Sequence, residues 1–134
     1  MATQIFVNLP VKDLERSIAF FSRLGYGFDP RYTNANATCV VITEAIQVML
    51  LVESFFQTFT AKELCDTTRC TEAILCLSLG SRAEVDDLMA RALAAGATAP
   101  NPAQDLGFMY GHGFQDLDGH LWEVIHMVSD PPRP

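Results

Sequence analysis

The sequence predicts an α+β protein made of two βαβββ modules. Each half opens with an apolar, strand-like run followed by an amphipathic helix that ends at a glycine, and each half then continues with three short strand-like runs. The chain of 134 residues is 49% hydrophobic and 19% charged, which excludes a disordered chain and provides apolar side chains for a core. We therefore expect one domain with an internal repeat over residues 1–134.

The first module is predicted to contain one helix and four strands. Leu14, Phe21 and Leu24 recur on one face of a helical pattern, and Gly25 is the residue type that commonly follows a helix in the left-handed conformation. The module covers about residues 1–53, with a helix at 13–24 and strands at 5–11, 27–33, 38–43 and 47–53.

The second module repeats this plan. Ser81 and Glu84 form a capping box, the pattern that starts a helix, and Gly96 follows the last apolar residue of that helix. The module covers about residues 73–128, with strands at 73–79, 97–99, 107–115 and 120–127 and a turn at 116–119. A connector at 54–72 joins the modules, and residues 129–134 form a tail.

The connector carries three phenylalanines, Phe55, Phe56 and Phe59, and a further capping box at Thr60 and Glu63. Two alternatives remain for the rings. They pack on a partner subunit or on the junction of the modules, or they form a lid over the mouth of a cavity.

Alternation along the first strand of each module separates two faces. Ile5, Val7 and Leu9 form an apolar face that a helix can cover, whereas Phe6 and Asn8 lie on a mixed face. In the second module Leu75, Leu77 and Leu79 are the apolar face, and Ile74 and Cys76 belong to the mixed one. We expect the helices to cover the apolar faces and the mixed faces to point towards the middle of the molecule.

The charge balance disfavours several classes of partner. Nine basic and sixteen acidic residues give a net charge of −7 without any basic cluster, so nucleic acid and anionic membrane surfaces are not expected partners. No apolar run approaches the ~20 residues of a membrane span, and the first residues lack the pattern of a signal peptide, so we expect a cytoplasmic location. Cys39, Cys65, Cys70 and Cys76 are expected to be reduced, although Cys65 and Cys70 flank a polar loop and their pairing stays an alternative.

Two motifs point to a family. The segment PVKDLERS at 10–17, followed by Phe20-Phe21 and Leu24-Gly25, is the first, and DLDGHLWEV at 116–124 is the second. Together they resemble the opening and closing motifs of the vicinal oxygen chelate superfamily, which includes glyoxalase I, extradiol dioxygenases and the bleomycin- and fosfomycin-resistance proteins. The resemblance implies an eight-stranded, mixed, U-shaped sheet around a ligand cavity, with helices on its outer face, usually in a homodimer.

The same resemblance implies where a metal would bind. Metal-dependent members carry a ligand on the first and last strand of each module, and these slots fall on Phe6, on Met49 (Leu50 if the register slips by one), on Ile74 and on Glu123. Glu123 alone has a ligating side chain, and one carboxylate does not hold a hard divalent ion. The sequence therefore predicts no metal and no other cofactor.

Glu123 is the candidate catalytic residue. Burial among apolar groups would favour its neutral form, and it would then act as a general acid or base or pair with a cationic ligand. The alternative is a structural role, with hydrogen bonds to Asn8, Tyr110 or water. Strand alternation directs His120 and His126 away from Glu123.

His112 shares its alternation with Tyr110 and Phe114 in the neighbouring strand. This face either lines the cavity or packs on the helices, and both readings stay open. On the first reading Tyr110 or His112 approaches a bound ligand.

These observations favour a metal-free protein, a homodimer, that binds a small molecule in an apolar cavity. The predicted ligand-binding residues are Phe6, Asn8, Met49, Ile74, Tyr110 and His112, with Glu123 as the catalytic candidate. The alternatives are a metal-dependent lyase, isomerase or dioxygenase, a cofactor-free enzyme that uses Glu123 as a general base, and a purely structural or regulatory partner.

Overall fold

Each half of the chain forms its own four-stranded mixed sheet, in a computed structural model that describes residues 2–133. The halves are two compact units whose boundary in the sequence falls between Leu64 and Cys65, inside the predicted connector. The eight strands and the helix after the first strand of each unit confirm the α+β prediction of two βαβββ modules.

The N-terminal unit has strand order β1-β4-β3-β2, with β1 parallel to β4 and the other pairs antiparallel. Its elements are β1 (Ile5–Val11), α1 (Leu14–Arg23), β2 (Gly27–Phe28), β3 (Ala37–Val41), β4 (Ile46–Val52) and the single-turn helix α2 (Glu53–Phe56).

Helix α1 begins and ends where its sequence pattern indicates. The Asp13 side chain accepts a hydrogen bond from the backbone N–H of Arg16 at 3.1 Å, which caps the first turn. Phe20 and Phe21 are buried, and Gly25 takes a φ of +99° just after the helix. The predicted helix at 13–24 is confirmed.

The C-terminal unit repeats the order as β5-β8-β7-β6, with β5 parallel to β8. Ser81 caps the helix by accepting from the N–H of Glu84 at 3.1 Å, and Gly96 follows with a φ of +112°. The elements are β5 (Ile74–Ser78), α3 (Arg82–Ala94), β6 (Gln104–Asp105), β7 (Met109–Gln115) and β8 (Leu121–Met127).

Some predicted elements differ from the structure. The strand predicted at 27–33 ends at Phe28, because Asp29 starts a short 3-10 turn by accepting from the N–H of Arg31. The weak strand predicted at 97–99 is a single bridge between Thr98 and Gln115. The short strand β6 was not predicted.

The capping box at Thr60 does not start a helix. Its hydroxyl accepts from the N–H of Lys62 at 3.1 Å, two residues on, and so closes a turn. Short polar side chains stabilise turns as readily as helix starts, and no apolar stripe follows here to sustain a helix.

The turn between β7 and β8 is organised by a buried carboxylate. Asp116 accepts hydrogen bonds at 3.0 Å from the N–H groups of Asp118 and His120 and from the indole N–H of Trp122. Burial nevertheless raises the pKa of Asp116, while His120 and the hydrogen bonds act in the opposite direction. This network fixes the start of β8.

The segment at 65–72 docks on the same turn. The Thr67 hydroxyl donates to the carbonyl of Asp118, and the buried His120 ring lies 2.8 Å from a carboxylate oxygen of Glu72. Gly119 has a φ of +92°, and a Cβ there would overlap the Thr67 carbonyl oxygen. Only glycine satisfies both conditions.

Within residues 2–133, no helix combines the length and the apolar character needed to cross a membrane.

Candidate functional site

The register of the C-terminal sheet places Glu123 on the face opposite helix α3. Glu123 lies directly across from Cys76 in β5 and from Gly113 in β7. Ile74 lies across from Leu121 on the same face, because directly paired residues point to the same side of a sheet. The expectation that Ile74 and Glu123 share a face therefore holds, and we call this face the open face of the unit.

A groove of about 450 Å³ runs along this open face. Its floor is the backbone of β7 at Gly111 and Gly113, with Leu121, Glu123 and Ile125 of β8 along one side. The groove is lined by Ile74, Pro100, Asn101, Pro102, Gln104, Met109, Gly111, His112, Gly113, Phe114, Leu121, Trp122, Glu123 and Ile125. Ile74 and Glu123 are thus brought together in one cavity.

A buried aromatic pair supports β7 and β8. Phe114 and Trp122 are paired across the two strands, and their rings stack at 6.1 Å with an interplanar angle of 8°. Both residues are buried, on the side that faces α3. The strands that carry the groove therefore rest on a packed core.

Glu123 itself is exposed, which corrects the expectation of a desolvated carboxylate. Its neighbours across the sheet, Gly113 and Cys76, are small and leave it uncovered. The pKa of the Cys76 thiol is raised by partial burial first and by the Glu123 carboxylate second, so this thiol is neutral at neutral pH.

Tyr110 does not face the groove, and of the two alternatives for its strand face the structure shows the one that packs on the helix, which does not support Tyr110 as a ligand-binding residue. Its hydroxyl donates to Asp86 of α3 at 2.5 Å, and the Arg82 guanidinium lies 4.0 Å from its ring centroid. The hydrogen bond to Asp86 and burial raise the pKa of Tyr110. Arg82 also contacts Asp105 of β6 at 2.7 Å, so this cluster fastens β6 to the helix.

His112 has an intermediate position. Its partner across the sheet is the buried Val124, which places its side chain on the helix side, yet the residue is among those that line the groove. Its Nε2 lies 3.1 Å from the carbonyl oxygen of Asn101 in the loop that forms the groove edge. Of the two alternatives for the face that carries His112, the structure shows the one that packs on the helix.

The two remaining histidines point away from Glu123, as alternation predicts. His126 pairs with Tyr110 across the sheet, and its Nδ1 lies 3.0 Å from the carbonyl oxygen of Leu79. His120 contacts Glu72 in the turn network.

In the N-terminal unit, Phe6, Asn8 and Met49 share one face of the sheet. Phe6 pairs with Gln47, and Asn8 pairs with Met49. Phe6 is 41% exposed, whereas Gln47 is buried and accepts a hydrogen bond from the Cys39 thiol at 3.0 Å.

The connector phenylalanines lie against the same unit. A second cavity, of about 340 Å³, is lined by Asn8, Leu51, Phe56, Phe59 and Thr60. Phe55 and Phe59 also form an edge-to-face pair with ring centroids 5.2 Å apart. Phe59 is 69% exposed, so this aromatic cluster is only partly covered.

The residues at the superfamily's metal positions do not fit a divalent ion. The metal positions are equivalent in the two sheets. Phe6 pairs with the residue two before Met49, and in the same way Ile74 pairs with the residue two before Glu123. Three of the four side chains offer no oxygen or nitrogen donor. Within residues 2–133, no group of three or more His, Cys, Asp or Glu side chains is arranged to hold a metal.

The sequence reasoning missed the glycines of the groove floor. Gly111 and Gly113 lie two apart in β7, so they share a face. The turn at 116–119 could have predicted this register. A tight turn there pairs Phe114 with Trp122, which places Gly113 beside Glu123 and Tyr110 on the opposite face of the sheet.

Two βαβββ units, each with a helix behind its sheet, are the architecture implied by the resemblance, and comparisons support it. Residues 3–43 match the family model described as bleomycin resistance protein-like N-terminal. No curated protein matches the chain. Among solved structures, a hypothetical protein from S. aureus is 28% identical, with 94% of each chain covered and a TM-score of 0.79.

Two further structures share the fold. A glyoxalase-related enzyme from Fulvimarina pelagi is 22% identical, with 94% of this chain and 88% of that chain covered and a TM-score of 0.78. An antibiotic binding protein from Streptomyces is 17% identical, with 95% and 97% covered and a TM-score of 0.66. The chain therefore has the fold that its resemblance to the vicinal oxygen chelate superfamily implies.

Proposed function

We propose that the protein binds a small, largely apolar molecule without a metal ion. The observation that carries the proposal is the groove of about 450 Å³, in which apolar side chains surround one carboxylate, Glu123. Ligand sites are typically concave and apolar with a few polar groups that set orientation. The metal positions support the same proposal, since Phe6, Met49 and Ile74 replace donor atoms with apolar surface.

The comparisons add support from outside the chain. The family model that matches residues 3–43 describes a bleomycin resistance protein-like segment, and one structure with the same fold is an antibiotic binding protein. Sequestering a small molecule requires a shaped cavity and no reacting group.

The proposal extends to the N-terminal unit, to assembly and to location. Phe6, Asn8 and Met49 are proposed as ligand-binding residues on their own face of the N-terminal sheet. A homodimer is proposed because the opening strand of each sheet exposes apolar residues. Cys39, Cys65, Cys70 and Cys76 are all unpaired, which fits the reducing cytoplasm that we propose as the location.

The alternatives require other features. A metal-dependent lyase, isomerase or dioxygenase needs donors that the four metal positions do not supply. A cofactor-free enzyme would use Glu123 as a general base, and its accessible place in the groove makes this the second candidate.

The test is native mass spectrometry of freshly purified protein together with elemental analysis. We expect an organic molecule to co-purify and zinc, nickel, iron and manganese to be substoichiometric. A stoichiometric metal that is lost in Glu123→Ala would overturn the metal-free assignment. A co-purified molecule that is turned over by the wild type and left intact by Glu123→Gln would establish the general-base alternative.

A further inference from the structure

The groove of the C-terminal unit contains a carboxylate without a counter-charge. Glu123 is exposed, and it is the acidic residue among the described residues that line the groove, a set to which no Lys or Arg belongs. Its neighbours across the sheet are Cys76, whose raised thiol pKa keeps it neutral, and Gly113, which has no side chain. A ligand in the groove therefore meets one negative charge that no lining side chain neutralises.

The basic side chains of helix α3 are paired elsewhere. The Arg82 guanidinium lies 2.7 Å from the carboxylate of Asp105, and that of Arg91 lies 2.9 Å from the carboxylate of Asp87. The helix lies on the other side of the sheet from Glu123, so neither of these cations is available to it. In the described part of the chain Glu123 has no such partner.

The rings that line the groove do not offer a second place for a positive charge. A cation can be held by the face of an aromatic ring. Phe114 and Trp122 stack on each other and are both 2% exposed, on the side that faces α3. His112 also points to the helix side, and its Nε2 lies 3.1 Å from the Asn101 carbonyl oxygen. Glu123 is therefore the group on which charge recognition in the groove depends.

The surface around Glu123 is aliphatic. Leu121 and Ile125 lie two residues before and after it in β8, so all three share a face. Ile74 pairs with Leu121 on that face and is 54% exposed. Such a surface favours any apolar body that it removes from water, whatever the charge at the end of that body.

We propose that the groove binds a protonated amine with an apolar body, whose ammonium group pairs with Glu123 while the body packs on Leu121, Ile125 and Ile74. This inference rests on the proposed binding function and names its class of ligand. An ammonium group donates N–H hydrogen bonds to a carboxylate in addition to the attraction between the charges. An anionic ligand would meet Glu123 without a counter-charge and is disfavoured.

Three probes of one shape isolate the charge. Cyclohexylmethylammonium, cyclohexanecarboxylate and cyclohexylmethanol share a cyclohexyl body and carry a positive charge, a negative charge and no charge. Ligand-observed NMR titration measures their binding at about 0.15 M salt, which screens general attraction to a protein of net charge −7. We expect the ammonium ion to bind about fivefold more tightly than the alcohol, and the carboxylate to bind most weakly.

Substitutions of Glu123 connect that preference to the groove, and the exposed position tolerates them. Glu123→Gln should reduce the affinity for the ammonium ion to that for the alcohol. Glu123→Lys should reverse the order, so that the carboxylate binds most tightly. Glu63→Gln, which removes an exposed carboxylate outside the groove, is the matched control and should leave all three affinities unchanged.

A substitution at Ile74 tests where the apolar body lies. Ile74→Ala should weaken all three probes by a similar factor, about twofold or more, and should keep the preference for the ammonium ion. Ile5→Ala is its matched control, because Ile5 is 55% exposed in the other unit, and it should change no affinity. Unchanged affinities in Ile74→Ala would place the body outside the groove and overturn the proposal.

The outcomes distinguish this inference from the proposed function. An ammonium ion that binds no more tightly than the other two probes, or a preference for it that persists in Glu123→Gln, would overturn the inference. If no probe binds, the molecule that co-purifies decides. A cation that is lost in Glu123→Gln supports the inference, whereas a retained cation or a neutral or anionic molecule overturns it and leaves the binding function standing. If no probe binds and nothing co-purifies, both are wrong.

Discussion

The carboxylate of Asp29 shows how one residue is held in its charged form. Arg31 donates to it from the backbone N–H at 3.0 Å, from Nε at 3.1 Å and from Nη2 at 2.8 Å. The side-chain hydrogen bonds from Arg31 are the main reason why the pKa of Asp29 is lowered. A carboxyl group with a lowered pKa in the folded state stabilises the fold above its unfolded pKa of about 3.9, and this contribution is lost as the pH falls further.

We expect Arg31→Gln to lower the melting temperature at neutral pH and to have a smaller effect near pH 2, below the lowered pKa of Asp29. The reason is that protonated Asp29 has little to gain from Arg31 in acid. Thermal unfolding at the two pH values is the measurement, and Arg91→Gln, which breaks an exposed i,i+4 pair with Asp87, is the control with little effect at either. An equal loss at both pH values would contradict the assignment.

Asp116 is the residue on which the β7–β8 turn depends. Asp116→Ala leaves two backbone N–H groups and the Trp122 indole N–H buried without their acceptor, so we expect unfolding free energy to fall by about 2–4 kcal/mol. Urea unfolding measures the change. Asp130→Ala, at an exposed position of the tail, should be neutral within about 0.5 kcal/mol, and a similarly small effect at Asp116 would refute the role of the network.

At the scale of elements, the docking of segment 65–72 on the β7–β8 turn requires Gly119. Gly119→Ala adds both the strain of a φ of +92° and an overlap with the Thr67 carbonyl. Gly107→Ala is matched, because it has a φ of +84° and nothing within 4 Å of the added Cβ. We expect about 1 kcal/mol of destabilisation at Gly107 and at least about 2 kcal/mol more at Gly119, measured by urea unfolding. Equal losses would show that the contact with Thr67 contributes nothing.

The elements also show what the sequence could predict. Strands such as Ile5–Val11 and helices such as Leu14–Arg23 have strong apolar periodicity, so their positions and faces were predictable. Strand β7 contains Gly111 and Gly113, and glycine carries no hydropathy signal to tell one face from the other. For this reason the sequence leaves the face of Tyr110 and His112 open, and it does not predict the exposure of Glu123, which depends on its small neighbours.

At the scale of the whole molecule, the first strand of each unit, β1 or β5, predicts that the protein associates with a second copy of itself. Strands β1 and β5 each lie at one end of their strand order, and Ile5 and Ile74 are 55% and 54% exposed. Apolar side chains on an edge strand favour pairing with another chain. We expect light scattering at micromolar concentration to give the mass of a dimer.

The variant Ile5→Lys should shift that mass towards the monomer, because a charged side chain on an edge strand opposes pairing. Leu106→Lys is the matched control, since Leu106 is 51% exposed but lies outside the edge strands. It should stay dimeric. A wild-type protein of monomer mass would end the dimer proposal.

The stacked pair behind the groove has an optical consequence. Trp122 is the single tryptophan of the chain, and it is buried in the C-terminal unit directly beside Glu123 in sequence. Its emission therefore reports on that unit alone, while far-ultraviolet circular dichroism averages over both. Coincident transitions of the two signals would mean that the halves melt as one cooperative body, and separate transitions would give each half its own unfolding temperature.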